Sequence, residues 1–143
     1  MKVIEVSAGL IFQDGRLLIT QRPTGTHLAG RWEFPGGKLE PGESPEDCLR
    51  RELREELGCV TEITGAPREI THRYDDRAVR LRFFPARIAE GTARPVDCAA
   101  VAWVTRDQLG AFQFPEADEC LLEWLAACPE LWSVPFATSP QTQ

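Results

Sequence analysis

The sequence predicts a single α/β domain, an α/β/α sandwich built on a mixed β-sheet. Three observations lead there. Strand-like and helix-like segments interleave without a regular strand–helix–strand rhythm, which disfavours doubly wound and barrel architectures. A hairpin signal, Asp14-Gly15, separates two apolar runs, so part of the sheet is antiparallel. The 143 residues suffice for one core of real size and are too few for two. The domain is expected to span residues 1–130, with 131–143 a poorly ordered tail.

The elements follow in order. Ile4, Val6, Ala8, Leu10 and Phe12 alternate with Glu5, Ser7 and Gly9, a period of two that predicts a strand with one buried face. After Asp14-Gly15, residues 16–22 form the return strand, and 23–31 read as a loop. Trp32, Glu33 and Phe34 make a short extended piece, stopped by Pro35-Gly36-Gly37. A helix starts at Ser44 as N-cap, with Pro45 at its first position and Glu46 and Asp47 in its first turn; Gly58 ends it. Leu49, Leu53 and Leu57 give that helix an apolar stripe aimed at a sheet. Residues 59–73 and 79–88 read as a strand pair joined by Tyr74-Asp75-Asp76-Arg77. A loop over 90–98 precedes a short apolar strand at 99–104, expected to be buried, and Thr105 caps a short helix through Leu109. Residues 116–128 read as a second helix, with Leu121, Leu122, Trp124 and Leu125 as its apolar surface and Pro129 beyond its end. The polar stretch 135–143 is expected to fray.

The composition narrows the chemistry. With a formal net charge of -6, the chain is a poor match for a nucleic-acid polymer, whose affinity rests on many Lys and Arg contacts. No apolar run reaches membrane-spanning length, and the N-terminus lacks the pattern of a secretory signal. The five cysteines form no CxxC pair, which fits reduced thiols in a cytoplasmic protein. Any dealing with phosphates is therefore expected to go through a metal ion and a few placed arginines, on a small molecule.

The first helix carries that metal signal. Glu52, Glu55 and Glu56 stand at i, i+3 and i+4, which puts three carboxylates on one helix face. Like charges so close are unfavourable unless neutralised, and a hard divalent cation such as Mg²⁺ prefers oxygen ligands and phosphate-bearing substrates. A solvated face laced with ion pairs to Arg50, Arg51 and Arg54 is the plainer alternative.

The spacing around these glutamates is more specific. Gly37, Glu43, Arg51-Glu52-Leu53, Glu55-Glu56 and Gly58 fit Gx5Ex7REUxEExGU, where U is a bulky aliphatic, with eight fixed positions over 23 residues. This is the Nudix box, and the chain resembles a Nudix hydrolase of the MutT type. Cys59 stands where Ile, Leu or Val is usual, a packing position that a small hydrophobe fills. The resemblance extends over the N-terminal hairpin, the QRP…H…WEFPGGK approach and the FPEAD segment, about residues 2–127.

What the resemblance implies is written here as expectation. The reaction is Mg²⁺-dependent hydrolysis of a nucleoside triphosphate to the monophosphate and pyrophosphate, with Mn²⁺ a possible substitute. Glu52, Glu55, Glu56 and the Gly36 carbonyl would hold the metal, Glu52 would also orient or deprotonate the attacking water, and Arg51 would pair with Glu43. Arg22 matches a phosphate-contacting arginine and His27 a nucleotide-contacting position, while Glu33, Phe34, Pro35 and Gly36 match the strand edge lining base and ribose. His72 has no such match and reads as a strand or surface histidine; of Phe83 and Phe84, one is core and the other is placed to stack on a base. The rival of another class is a Nudix-fold module that binds a nucleotide without cleaving it, but such modules usually lose box glutamates.

Two positions depart from the MutT pattern. Asp118 stands where the member selective for 8-oxo-dGTP has the asparagine of an FPPAN segment. An amide donates and accepts, whereas an ionised carboxylate only accepts. Asp118 would favour a base presenting an amino group, as cytosine does, or an N–H, as an oxidised guanine does at N7, and would repel O6; this version resembles the CTP pyrophosphohydrolase branch. In the loop before the last strand, related enzymes often place a glutamate as an extra ligand or base. Asp97 is the carboxylate nearest that place, one methylene shorter, and a solvated loop residue is an equal reading of it.

Overall fold

The computed structural model describes residues 2–133, so the expected fraying of 135–143 lies outside the described residues. A single mixed sheet separates two helices. Its order is β3-β2-β1-β7-β5, with β4 beside β1, β6 beside β7 and β8 beside β2. The strands are β1 Lys2–Gln13, β2 Arg16–Gln21, β3 Trp32–Glu33, β4 Gly36–Lys38, β5 Val60–Ile63, β6 Arg68–Arg73, β7 Arg77–Glu90 and β8 Ala100–Thr105. β1 and β7 run parallel, from Lys2 opposite Arg77 to Ile11 opposite Ala86, and every other pairing is antiparallel. The α/β/α sandwich is thus the observed architecture.

The central strands are buried on both faces. Ala8 and Leu10 of β1 join Leu17, Ile19 and Phe83 in one core, while Ile11, Leu18 and Phe84 join the other. The single buried face expected for β1 is corrected accordingly: Ser7 to Ile11 are all buried, because β7 pairs along it and a helix lies on each side. β1 turns into β2 through Asp14 and Gly15 at φ 53° and 78°, both left-handed, as a tight two-residue hairpin requires.

Helix α1, Pro45–Leu57, has the boundaries its capping residues dictate. The Ser44 hydroxyl accepts from the Asp47 N–H at 3.1 Å, and Gly58 closes the other end at φ 70°. Leu49, Leu53 and Leu57 are fully buried in the core with Ile11, Leu18 and Phe84. Leu53→Ala is expected to cost about 3 kcal/mol, read as a lower urea midpoint at unchanged m-value.

The opposite layer is α2, Glu119–Ala127, preceded by a 3-10 turn at Glu116–Asp118, so the expected helix begins three residues later than its sequence pattern. Leu121 and Leu125 are buried against Leu10, Leu17 and Phe83. Trp132 is 5% exposed, donates from its indole N–H to the Leu125 carbonyl at 2.9 Å and packs edge-on against Phe12, which carries the folded unit past residue 130.

Four further expectations are corrected. Residues 59–73 are two strands, β5 and β6, since Pro67 and its neighbours interrupt the pairing with β7. The Pro35-Gly36-Gly37 segment resumes as β4, paired to Val6–Ala8 of β1, where tertiary pairing overrides weak strand propensity. The helix after Thr105 is 3-10, Arg106–Ala111, and β8 before it is mostly half-buried rather than buried. Among the described residues, no helix is long and apolar enough to cross a membrane.

Candidate active site

Burial of the leucine stripe turns the opposite face of α1 toward β4 and the loop before it, and Arg51 organises that face. Its Nε and Nη2 donate to the two oxygens of Glu43 at 2.7 and 2.9 Å, the bidentate pair expected from the sequence. Nη1 reaches Glu52 at 3.1 Å and Glu55 at 3.3 Å, and Nη2 also reaches the Lys38 carbonyl at 3.2 Å. One guanidinium thus ties the helix to β4 and to the loop carrying Glu43.

The Arg51 hydrogen bonds, helped by the Glu40 N–H, hold the Glu43 carboxyl down at about 2, against an ordinary 4.5. A carboxylate depressed on folding stabilises fully above its unfolded pKa, and that contribution is lost as pH falls through the folded one. Between pH 4.5 and 2 the urea midpoint should therefore fall, and Glu43→Gln should remove part of that fall.

Beside Arg51, the Glu52 carboxylate packs so closely on Gly37 that a Cβ there would collide with it. Glycine at 37 is a demand for space. Gly36 is confined more rigidly, since a side chain would strike backbone, the Ser7 carbonyl oxygen and the Ala8 Cα of the neighbouring strand. Glu56 lies against Glu52 and near the Gly36 N–H. Burial raises its pKa first, followed by the hydrogen-bonded, charged Glu52 and by the charge of Glu33, with Gly36 opposing.

These groups fit a divalent cation in one respect and leave it incomplete in another. Two carboxylates forced together and partly desolvated hold a proton between them unless a cation takes its place. Among the described residues, no three metal-binding side chains converge into a finished cage. Mg²⁺ keeps several waters and shares a substrate's phosphates when it binds carboxylates. Glu55, its side chain 56% exposed and bound to Arg51, stands at the rim.

A cleft of about 400 Å³ runs along the Gly36-Gly37 backbone, between the sheet and the 3-10 turn before α2. Ala8, Phe34, Leu81 and Phe83 line its apolar floor, with Arg22 and Glu33 on one flank and Asp118 with His72 and Tyr74 on another. Phe34 stacks on Phe114 at 5.2 Å and meets Phe83 edge-on at 6.0 Å. Both phenylalanines left open by the sequence are buried; Phe84 belongs to the core under α1, and Phe83 is the one that lines the cleft.

The structure brings together Arg22, Glu33, Phe34, Gly36 and Asp118 from three separate stretches of chain. Arg22 Nη1 pairs with Glu33 at 3.2 Å, and its Nε donates to the His27 carbonyl at 2.6 Å. His27 is exposed and takes part through that carbonyl, with its ring away from the cleft lining. Pro35 is buried and holds the Gly9 N–H at 2.8 Å, which fixes the backbone rather than lining the cleft. Asp97 is exposed; its N–H caps the end of α1 at the Glu56 carbonyl, 3.2 Å away, which places it near Glu56 through backbone alone.

His72 and Tyr74 are the residues that sequence reasoning passed over. Both lie on the face of β6 and its turn that also carries Ile70, and the alternation from Ile70 through His72 to Tyr74 was the available signal. Burial, then the charge of Glu33, raises Asp118 to about 6 against an ordinary 3.8, with His72 opposing. Burial likewise raises Glu33, against Arg22. The cleft thus has one carboxyl group raised to about 6, and the Glu52 carboxylate of a crowded pair packs against Gly37 of its wall.

Comparison with known proteins places this arrangement. The sequence model described as the NUDIX domain matches residues 7–124. The chain is 37% identical over 123 residues to the CTP pyrophosphohydrolase of Escherichia coli K12, covering 86% of this chain and 91% of that protein. It is 32% identical over 120 residues to the 8-oxo-dGTP diphosphatase of the same organism, covering 83% and 93%. In structure it is similar to the E. coli ORF135 protein in solution, with a TM-score of 0.78 and 34% identity over 94% of this chain and 96% of that one. With the box residues gathered on one helix and matches over most of its length, the chain belongs to the Nudix hydrolases, in their MutT-type branch.

Proposed function

We propose that this enzyme hydrolyses nucleoside triphosphates to the monophosphate and pyrophosphate in a Mg²⁺-dependent reaction, in the upkeep of the cytoplasmic nucleotide pool. Cytosine nucleotides, including 5-substituted dCTP, are the leading substrates, and 8-oxo-dGTP is the second reading. The observation that carries this is the shared Gly36-Gly37 backbone. The cleft lies along it, and the Glu52 carboxylate packs directly against it. A nucleotide seated with its base toward Asp118 has its phosphates toward α1.

Glu52, Glu55, Glu56 and the Gly36 carbonyl are the groups that would hold the metal. Bound there, Mg²⁺ supplies neutralisation of the phosphate charge and a water of lowered pKa. The oxygen of a water bonds to a phosphorus flanking the α–β bridge, the bridging P–O bond breaks, and the displaced proton goes to a base, the role we assign to Glu52. Arg51 and Glu43 keep Glu52 in position. Arg22, held by Glu33 and the His27 carbonyl, has a planar donor fork suited to phosphate oxygens.

Base choice rests on Asp118, which at pH 7.5 is mostly ionised and accepts from an amino group such as cytosine N4. The names of the two E. coli relatives support both substrate readings. Retention of Glu43, Glu52, Glu55 and Glu56 favours turnover over a binding-only role. The test is pyrophosphate release from CTP, dCTP, 5-methyl-dCTP, dGTP and 8-oxo-dGTP, with Mg²⁺, Mn²⁺ and no metal. The cytosine nucleotides should give the highest kcat/KM, and release should stop without metal. No release from any triphosphate in Mg²⁺ would overturn the reaction.

A further inference from the structure

The segment carrying Asp118 is tied to the sheet at two places. At its front, the Trp32 N–H donates to the Gln113 carbonyl at 2.8 Å, and Arg31 Nη1 reaches the Phe114 carbonyl at 3.5 Å. At its back, His72 Nε2 lies 3.1 Å from the Ala117 carbonyl oxygen, across 45 residues of sequence. A carbonyl only accepts, so Nε2 carries the proton of this bond. The imidazole is itself clamped: it stacks on Tyr74 at 5.9 Å, with the planes 28° apart, and the Arg77 guanidinium lies over Tyr74 at 4.8 Å.

The bond matters because of where Ala117 stands. Its carbonyl belongs to the peptide that leads into Asp118, and the Asp118 N–H donates back to Pro115 at 3.0 Å. The direction of the Asp118 side chain is therefore set by a short turn whose last peptide is gripped from the sheet. Three 3-10 residues have little stiffness of their own. A ring with fixed orientation offers its donor along one line, whereas a long flexible side chain loses rotamer freedom to do the same.

We propose that His72 is a positioning residue for base recognition, holding the Ala117 carbonyl so that the Asp118 carboxyl group meets the edge of the base. This rests on the base-reading role of Asp118 proposed above. It adds that the reading is built from two layers, with the sheet aiming a group that the 3-10 turn carries.

The measurement is the ratio of kcat/KM for CTP to that for 8-oxo-dGTP, which cancels the fraction of folded enzyme. His72→Phe keeps a ring to stack on Tyr74 and removes the donor. It should move the ratio about 5- to 10-fold toward unity, the loss of one partly buried hydrogen bond, through KM rather than kcat. His72→Gln, which restores an N–H, should recover most of the ratio. In an Asp118→Ala background, His72→Phe should add no further change. An unchanged ratio in His72→Phe, or an equal shift with and without Asp118, would overturn the inference. Loss of triphosphate hydrolysis by the unaltered enzyme would instead sink the parent reading and this inference with it.

Discussion

Glu56→Gln is expected to lower kcat for pyrophosphate release roughly 10³-fold and to leave the fold intact, because it removes a charge that the site needs and the fold does not. Without metal, burial and then the crowding of Glu56 against Glu52 raise its pKa well above the ordinary carboxylate range, so the folded protein already favours the neutral acid there. Glutamine is the isostere of that neutral form. The leucine stripe lies on the other face of α1 and is untouched. Melting temperature in metal-free buffer should therefore hold or rise, as is common where an active site keeps like charges together. The rise in melting temperature that Mg²⁺ gives the unaltered protein should shrink or vanish. Glu52→Gln should lose activity as far, and it also loosens the contact to Arg51. Wild-type turnover by Glu56→Gln, or an undiminished thermal response to Mg²⁺, would remove Glu56 from the metal site.

The second large effect is on selectivity. Asp118→Asn should raise kcat/KM for 8-oxo-dGTP relative to CTP by about 10- to 100-fold, since a repelled carbonyl becomes a bonded one. With Asp118 at about 6, the unaltered enzyme should show the same drift on acidification: below that pH the protonated acid can donate to a carbonyl. The asparagine variant should lack this drift. The linked stability effect has the opposite sign to that of Glu43. A carboxyl group raised from 3.8 to about 6 stabilises the fold as pH falls through that interval and costs stability above it, so Asp118→Asn should gain stability at pH 7.5. An unchanged substrate ratio would remove Asp118 from base reading.

What was legible in the sequence was what local chemistry decides. Ser44, Pro45 and Gly58 set both ends of α1, and the Leu49, Leu53 and Leu57 stripe set its orientation; all are interactions within a turn or two. The Arg51–Glu43 pair was legible through the resemblance, which pairs the arginine of the box with a neighbouring carboxylate. The misses were non-local. Gly36–Lys38 looks like a strand breaker and is a strand because β1 offers it a partner. His72 looks like any surface strand residue, and only the arrival of Ala117 beside it makes a cleft wall. His27 sits in the loop expected of it; Arg22 engages its carbonyl, and its ring is not among the groups that line the cleft.

The parallel ladder between β1 and β7 also bears on how the chain is made. Each paired residue meets one 75 positions later, Lys2 with Arg77 through Ile11 with Ala86. At synthesis rates of about 5–20 residues per second, the first strand waits some 4–15 s for its partner to be polymerised. During that wait the β1–β2 hairpin, β3 beside β2, β4 beside β1 and helix α1 already have their partners in the chain, so they are the pieces able to form first. Closure of the sheet centre, and with it the assembly of the cleft, is a late and slow event, set by sequence separation rather than by stability.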